Sequence, residues 1–245
     1  MPNYLQDKVI VITGGSSGIG LETARQLLER GARVAITGRD AKRLAAAQSA
    51  LGGQALAVQA DACSQADWQR LLDRVEAELG PLDILVNNHG AALKIAPVEE
   101  MEDADIQAVL HTNLASVISG CREAVRRMRP RGCGAIVNVS SACAHHSWAN
   151  WAVYTAAKAG MVGFTRCLHK EMAEWGGKAT SFVPGAARTG FCEAAKIDDS
   201  WQEGFPEAAE FAHSLVHCLD VPPSCVIEEL NVWGTRQVRE MLNPY

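Results

Sequence analysis

No apolar run in this chain approaches the ~18 residues of a membrane-spanning helix, and no basic, apolar and small-residue series marks a secretory leader. No Cys-x-x-Cys pair occurs among its eight cysteines, which are scattered and read as reduced thiols rather than a disulfide framework or a zinc site. His213 and His217 are spaced for one helix face but lack a third ligand, so no metal site is predicted. A net charge of −5 gives no electrostatic footprint for nucleic acid or an anionic membrane. The basic cluster Arg126, Arg127, Arg129 and Arg131 reads as the end of a helix, where cations complement the dipole. No linker, low-complexity tract or internal repeat divides the 245 residues, a length that one α/β core can fill. These absences lead us to expect a cytoplasmic protein whose residues 1–245 form one domain, with neither a membrane nor a nucleic acid as partner.

Short β-branched runs alternate with helix-forming stretches along the chain. KVIVIT at 8–13, ARVAIT at 32–37, ALAVQ at 55–59, DILVN at 83–87, AIVNVS at 135–140 and ATSFV at 179–183 are predicted strands, and CVIEELNVW at 225–233 adds another. Between them, segments such as Gly18 to Arg30, Asp40 to Leu51 and Gln65 to Leu79 carry helix formers at amphipathic spacing. Alternation of this kind implies right-handed βαβ crossovers and a parallel sheet covered on both faces. The predicted fold is therefore an α/β, Rossmann-like, doubly wound sheet.

Two motifs carry chemistry. TGGSSGIG, from Thr13 to Gly20, follows the first strand and opens the first helix. Glycines there permit a tight turn and close approach of backbone to a pyrophosphate, met by N–H groups at the helix N-terminus. Gly14, Ser16, Ser17, Gly18, Ile19 and Gly20 are the candidate contacts. Further on, Tyr154 and Lys158 stand four residues apart, which places them on one helix face. A cation roughly 5 Å from a phenol favours phenolate by ~3 kcal/mol at an effective dielectric of about 20, or roughly two pKa units. Tyr154 is thus expected to have a lowered pKa and to exchange a proton near neutrality.

These motifs, with NNHG at Asn87 to Gly90, VNVSSA around Ser141, HTNLAS around Asn113 and PGAART from Pro184 to Thr189, occur in an order that resembles the classical short-chain dehydrogenases/reductases. The resemblance covers roughly residues 8–190. It implies a catalytic set of Asn113, Ser141, Tyr154 and Lys158, with Asn113 anchoring a water that connects the lysine to solvent. It also implies a nicotinamide cofactor held by the glycine turn, Asp61, Asn87, Gly90, Tyr154, Lys158, Pro184, Gly185 and Thr189. A small carbonyl or alcohol compound would be the substrate, and a homodimer or homotetramer the assembly.

Choice of cofactor rests on the end of the second strand, TGRDAKRL, where an acidic residue would bind the ribose hydroxyls of NAD and an arginine the 2′-phosphate of NADP. Gly38 and Arg39 favour NADP, while Asp40 reads as a helix N-cap; NAD is the runner-up. His89 replaces the family's usual alanine, and is read as a packing or hydrogen-bond variant. A substrate lid is expected at about 190–215. Trp148, Trp151, Phe191, Trp201 and Phe205 could form an apolar pocket, and His145 and His146 could instead meet a polar group. Two other readings stay open: an NAD-linked alcohol dehydrogenase, and a nucleotide-sensing protein without turnover.

Overall fold

β1 (Val9–Thr13) reads VIVIT and is buried at every position, as a central parallel strand covered on both faces must be. A computed structural model of the chain describes residues 2–191 and 204–242. Around β1 are β2 (Arg33–Gly38), β3 (Leu56–Gln59), β4 (Ile84–Asn87), β5 (Gly134–Val139), β6 (Gly177–Pro184) and β7 (Glu229–Val232). They form one seven-stranded sheet in the order β3-β2-β1-β4-β5-β6-β7, and every pairing is parallel. The order reverses between β1 and β4, and registers such as Thr13 beside Asn87 and Pro184 beside Val232 bring the carboxyl ends level. That edge is where an open α/β sheet offers a crevice.

Helices cover both faces. On one, α1 (Gly18–Glu29), α2 (Ala41–Ala50) and α7 (Ala208–Leu219) bury Leu27, Leu44, Phe211 and Leu215 against Ile10, Ile12 and Ile36. On the other, α3 (Gln65–Glu78), α5 (Ser116–Met128) and α6 (Ala152–Ala173) bury Trp68, Val117 and Met161 against Val9, Val11 and Leu85. Each such side chain contributes roughly 1.5–3 kcal/mol on burial. Gly120 of α5 lets the Trp68 indole in, since a Cβ there would stand 2.4 Å from the ring. α4 (Asp103–Leu110) runs into α5 through a single π turn at His111–Ala115, and α8 (Thr235–Leu242) follows β7. None of the helices among the described residues is long and apolar enough to cross a membrane.

Two boundaries differ from the sequence reading. The last strand is shorter than 225–233 because residues ahead of it turn: Cys225 N–H donates to the Pro222 carbonyl, and Lys178 Nζ ties both carbonyls. The stretch read as a lid to 215 already belongs to α7 from Ala208, whose Phe211, Leu215 and Val216 are core; residues 192–203, with Trp201, lie outside the described residues.

Candidate active site

At the end of β1 the chain turns through Gly14 (φ +64°) and Gly18 (φ +54°), left-handed positions that favour glycine. α1 begins there with Ser17 at its N-cap, no side-chain cap and no acidic residue in the first turn, so the helix supplies no anion of its own to its first N–H groups. Gly20 is required by close approach: a Cβ would stand 2.4 Å from Asn88 Nδ2 and 2.5 Å from the Gly14 carbonyl. Asn88 Nδ2 donates to the carbonyls of Thr13 and Gly14, both at 3.1 Å, and so fixes the turn. A Cβ on Gly18 would lie 3.2 Å from Thr189 Cγ2, which brings the loop after β6 over the turn. An uncapped helix start under a turn this closely packed fits a dinucleotide pyrophosphate.

At the end of β2, Arg39 is exposed. Asp40 caps α2, accepting from the backbone of Lys42 (2.8 Å) and Arg43 (3.0 Å), as its place before Ala-Lys-Arg predicts. Asp61 follows β3, accepts from Cys63 N–H at 2.9 Å and donates its own N–H to Asp67 at 2.8 Å. Asn87 corrects the sequence reading. Its side chain is fully buried and donates to Asn138 Oδ1 (2.9 Å) and Cys121 Sγ (3.3 Å), which commits its amide group to the core, while its Oδ1 is buried without a hydrogen-bond partner. Its neighbour Asn88, which the motif reading passed over, is the residue that holds the glycine turn.

His89 joins the end of β1 to α5, with Nδ1 2.6 Å from Thr13 Oγ1 and Nε2 2.8 Å from Ser116 Oγ. Ser116 already donates to the Thr112 carbonyl at 2.8 Å, so its oxygen accepts and Nε2 carries the proton. Thr13 then donates to Nδ1. Burial first, and the Lys158 cation second, push this imidazole down to about 3. It is a neutral structural bridge, in line with its reading as a hydrogen-bond variant.

Gly90, Asn113 and Lys158 meet next to it. A Cβ on Gly90 would stand 2.9 Å from Asn113 Oδ1 and 3.2 Å from Lys158 Nζ. Asn113 sits in the π turn, fully buried, donating to the carbonyls of Ala91 (2.8 Å) and Val109 (2.9 Å) and accepting from Ala91 N–H (3.0 Å). Both of its amide protons are committed to backbone, so its side chain clamps the loop after β4 instead of standing free for water.

Tyr154 and Lys158 share the buried face of α6, with Nζ 5.7 Å from the phenol ring centroid. Ser140 Oγ donates to the Lys158 carbonyl at 2.9 Å and fastens α6 to the end of β5. The ammonium donates to the Val139 carbonyl at 3.0 Å, and burial lowers its pKa to about 8. Tyr154 overturns the expected lowering: burial first, and the neighbouring Cys143 second, push its phenol above the ordinary tyrosine range, while the Ser141 side chain pulls the other way. Desolvation outweighs the lysine because the phenol is only 6% exposed. Ser141 also accepts from Cys143 N–H at 3.2 Å.

Above Tyr154, Trp151 approaches at 5.6 Å between centroids and Phe191 at 6.0 Å. Trp148 lies instead against His146, which also meets Trp233, and His145 is tied to Glu229 at 2.8 Å. Among the described residues, Trp151 and Phe191 of the expected aromatic set are thus brought to the phenol, and Phe205 is buried.

The loop after β6 has a support that no motif announced. Gly185 N–H donates to the Val232 carbonyl at 2.7 Å, and the buried Gln237 of α8 donates to the Ala186 carbonyl at 2.5 Å while accepting from Gly234 N–H at 3.1 Å. We expect Gln237→Ala to raise the cofactor Kd about fivefold, the size of one lost hydrogen bond, with kcat less affected. Gln237→Glu keeps the acceptor but loses the donor to Ala186 and should show much of the same effect. Equal Kd in all three proteins, by fluorescence titration, would show that this bond does not position the loop.

Comparison with known proteins agrees with this geometry. The sequence profile of a family described as short chain dehydrogenase matches residues 8–199. The chain is 34% identical over 221 residues to a 3-oxoacyl-[acyl-carrier-protein] reductase of Rattus norvegicus, covering 88% of this chain and 92% of that one. It is 40% identical over 191 residues to a cis-4-hydroxycyclohexanecarboxylate dehydrogenase of Sinomonas cyclohexanicum, covering 77% of each. Among solved structures, the closed form of a serine dehydrogenase complexed with NADP+ superposes with TM-score 0.86 at 26% identity, over 91% of this chain and 94% of that one. Levodione reductase does so with TM-score 0.86 at 27% identity, over 95% and 98%. A glycine turn at the head of α1, a Tyr-Lys face on α6 and a profile match over most of the chain converge: this protein is an oxidoreductase and belongs to the short chain dehydrogenase family.

Proposed function

We propose that this oxidoreductase interconverts a carbonyl and an alcohol with NADP(H), using Ser141, Tyr154 and Lys158 as its proton-transfer set and Asn113 to hold the loop beneath them. The observation that carries the reading is that Tyr154 and Lys158 share the buried face of α6, with Nζ 5.7 Å from the phenol ring centroid, and that Lys158 lies beside the Gly90 loop that follows β4. The nicotinamide, when bound, supplies or accepts the hydride. Tyr154 exchanges the proton at the substrate oxygen, and Ser141 holds that oxygen and steadies its developing charge. Lys158 supplies positive charge beneath the phenol and a donor for the cofactor ribose. The outer faces of α5 and α6, where Ile118 is 38% exposed and Gly163 has open space above it, support a homodimer or homotetramer.

NADP is favoured over NAD because the carboxylate that could bind ribose hydroxyls, Asp40, is spent on capping α2, whereas the Arg39 side chain beside it is exposed. A charge-assisted hydrogen bond is worth ~1.5–3 kcal/mol. Arg39→Ala should therefore weaken NADPH about 10- to 100-fold and leave NADH within about twofold, read by quenching of tryptophan fluorescence. Preference of the wild type for NADH would favour an NAD-linked dehydrogenase. Binding of either without turnover of any carbonyl or alcohol would favour a nucleotide sensor.

A further inference from the structure

We propose that Trp151 and Phe191 determine specificity at this site and select a flat, uncharged ring ketone over open-chain and acidic carbonyl compounds. This rests on the reading of Tyr154 as the residue that meets the substrate oxygen. The Trp151 and Phe191 rings lie within 15° of parallel with centroids 6.5 Å apart, and both stand steeply to Tyr154, at 73° and 59°. Tyr154 is thus one vertex of a triangle whose other two are aromatic faces. Buried Val109 and Cys143 and the partly buried Ile95 and Met101 pack around it.

Both faces are built into the elements that carry the chemistry. Trp151 is the N-cap of α6, and its carbonyl accepts from Thr155 N–H at 2.8 Å, so its backbone is registered to Tyr154 three residues on. The turn before it, with Asn150 at φ +71°, takes Ala96 N–H on the Asn150 carbonyl at 3.2 Å and stitches in the loop that follows β4. Phe191 N–H donates to Thr189 Oγ1 at 3.3 Å, which joins the second face to the loop over the glycine turn.

Charge narrows the substrate class. Among the described residues, the cation at this cluster is Lys158, whose Nζ lies 5.7 Å from the Tyr154 ring centroid and donates to the Val139 carbonyl. Three other cations are each held by a carboxylate: Lys94 by Asp105, Arg166 by Glu229 and Arg188 by Glu207. A carboxylate brought against the ring faces would lose hydration there without a charged partner on those faces, and a polyol would set hydroxyls against apolar surface. A flat ring presents its faces and edges to aromatic neighbours in the geometries they prefer.

The test compares kcat/KM for acetophenone, 4-acetylbenzoate and butan-2-one in the full chain with NADPH, for wild type, Trp151→Leu and Phe191→Leu. Acetophenone should be preferred by at least about tenfold, and each leucine variant should lose acetophenone turnover about tenfold more than butan-2-one turnover. Equal use of 4-acetylbenzoate or butan-2-one, or an equal loss on all three compounds, would overturn the proposal. Should the wild type reduce none of them, calorimetric titration of acetophenone onto the NADP+-saturated protein decides. Binding weakened about tenfold by Trp151→Leu supports recognition by these rings, and no binding overturns it. Tyr154→Phe separates the two readings. Persistent acetophenone turnover in that variant would sink the role of Tyr154 itself, whereas lost turnover without ring preference would sink only the substrate class.

Discussion

Tyr154→Phe is expected to lower kcat by about 10²–10⁴-fold, the usual worth of a positioned general acid or base, while NADPH binds within about threefold of wild type. The substitution removes one oxygen and keeps the ring that packs on Trp151 and Phe191. Ser141 retains the Cys143 N–H and Lys158 retains the Val139 carbonyl, so neither neighbour loses its anchor. kcat and kcat/KM should fall together, as they do when an interaction belongs to the transition state alone. Steady-state rates beside a fluorescence titration of the cofactor make the comparison. Unchanged turnover would remove Tyr154 from the mechanism, and a parallel loss of cofactor affinity would recast it as a binding residue.

The direction of the Tyr154 shift matters for how the site works. With burial holding the phenol protonated at neutral pH, the cofactor-free protein presents an acid, which is the form a carbonyl reduction needs. Spacing in the sequence reveals that Tyr154 and Lys158 share a helix face. It does not reveal that the helix packs that face into the protein, where desolvation overrides a cation 5.7 Å from the ring centroid.

The same limit explains what else was legible. Strands such as VIVIT are continuous apolar runs ending in a turn, and the glycine turn needs glycine for steric reasons that any reader of the chain can reconstruct. Asn87 and Asn88 are identical letters, yet side chains alternate along a strand, so one enters the core network of Asn138 and Cys121 while the other reaches the turn. Gln237 carries no local signal at all. Its importance arises because β7 and α8 return to the loop after β6, a contact some 50 residues away in the chain. The aromatic triangle likewise joins Trp151 and Tyr154 of α6 to Phe191 of a separate loop, and composition names the rings without saying which will meet.

His89 should make the cofactor-free protein acid-labile in a way that an alanine at this place would not. Its folded-state pKa of about 3 lies below the ordinary histidine value, so between the two the unfolded chain binds the extra proton. Stability is then fully present above about pH 6.5 and is lost as pH falls toward 3. The loss approaches ~1.4 kcal/mol per pH unit and reaches about 2 kcal/mol at pH 5, a ceiling because His89 keeps some accessible surface. Protonation has nowhere to go. Nδ1 is occupied by the Thr13 hydroxyl, Thr13 also accepts from Asn88 N–H, and Lys158 already places a cation nearby; only Asp61 pulls the other way. In His89→Ala, Ser116 keeps the Thr112 carbonyl and the Thr13 hydroxyl, freed from Nδ1, has the Val86 carbonyl in reach at 3.3 Å, so no buried hydroxyl is orphaned. Urea unfolding at pH 7.5 and pH 5.0 should show wild type losing up to about 2 kcal/mol more than the alanine variant, at equal m. Equal losses in the two proteins would mean that the acid sensitivity, if any, lies in other groups and that His89 is already hydrated enough to titrate freely.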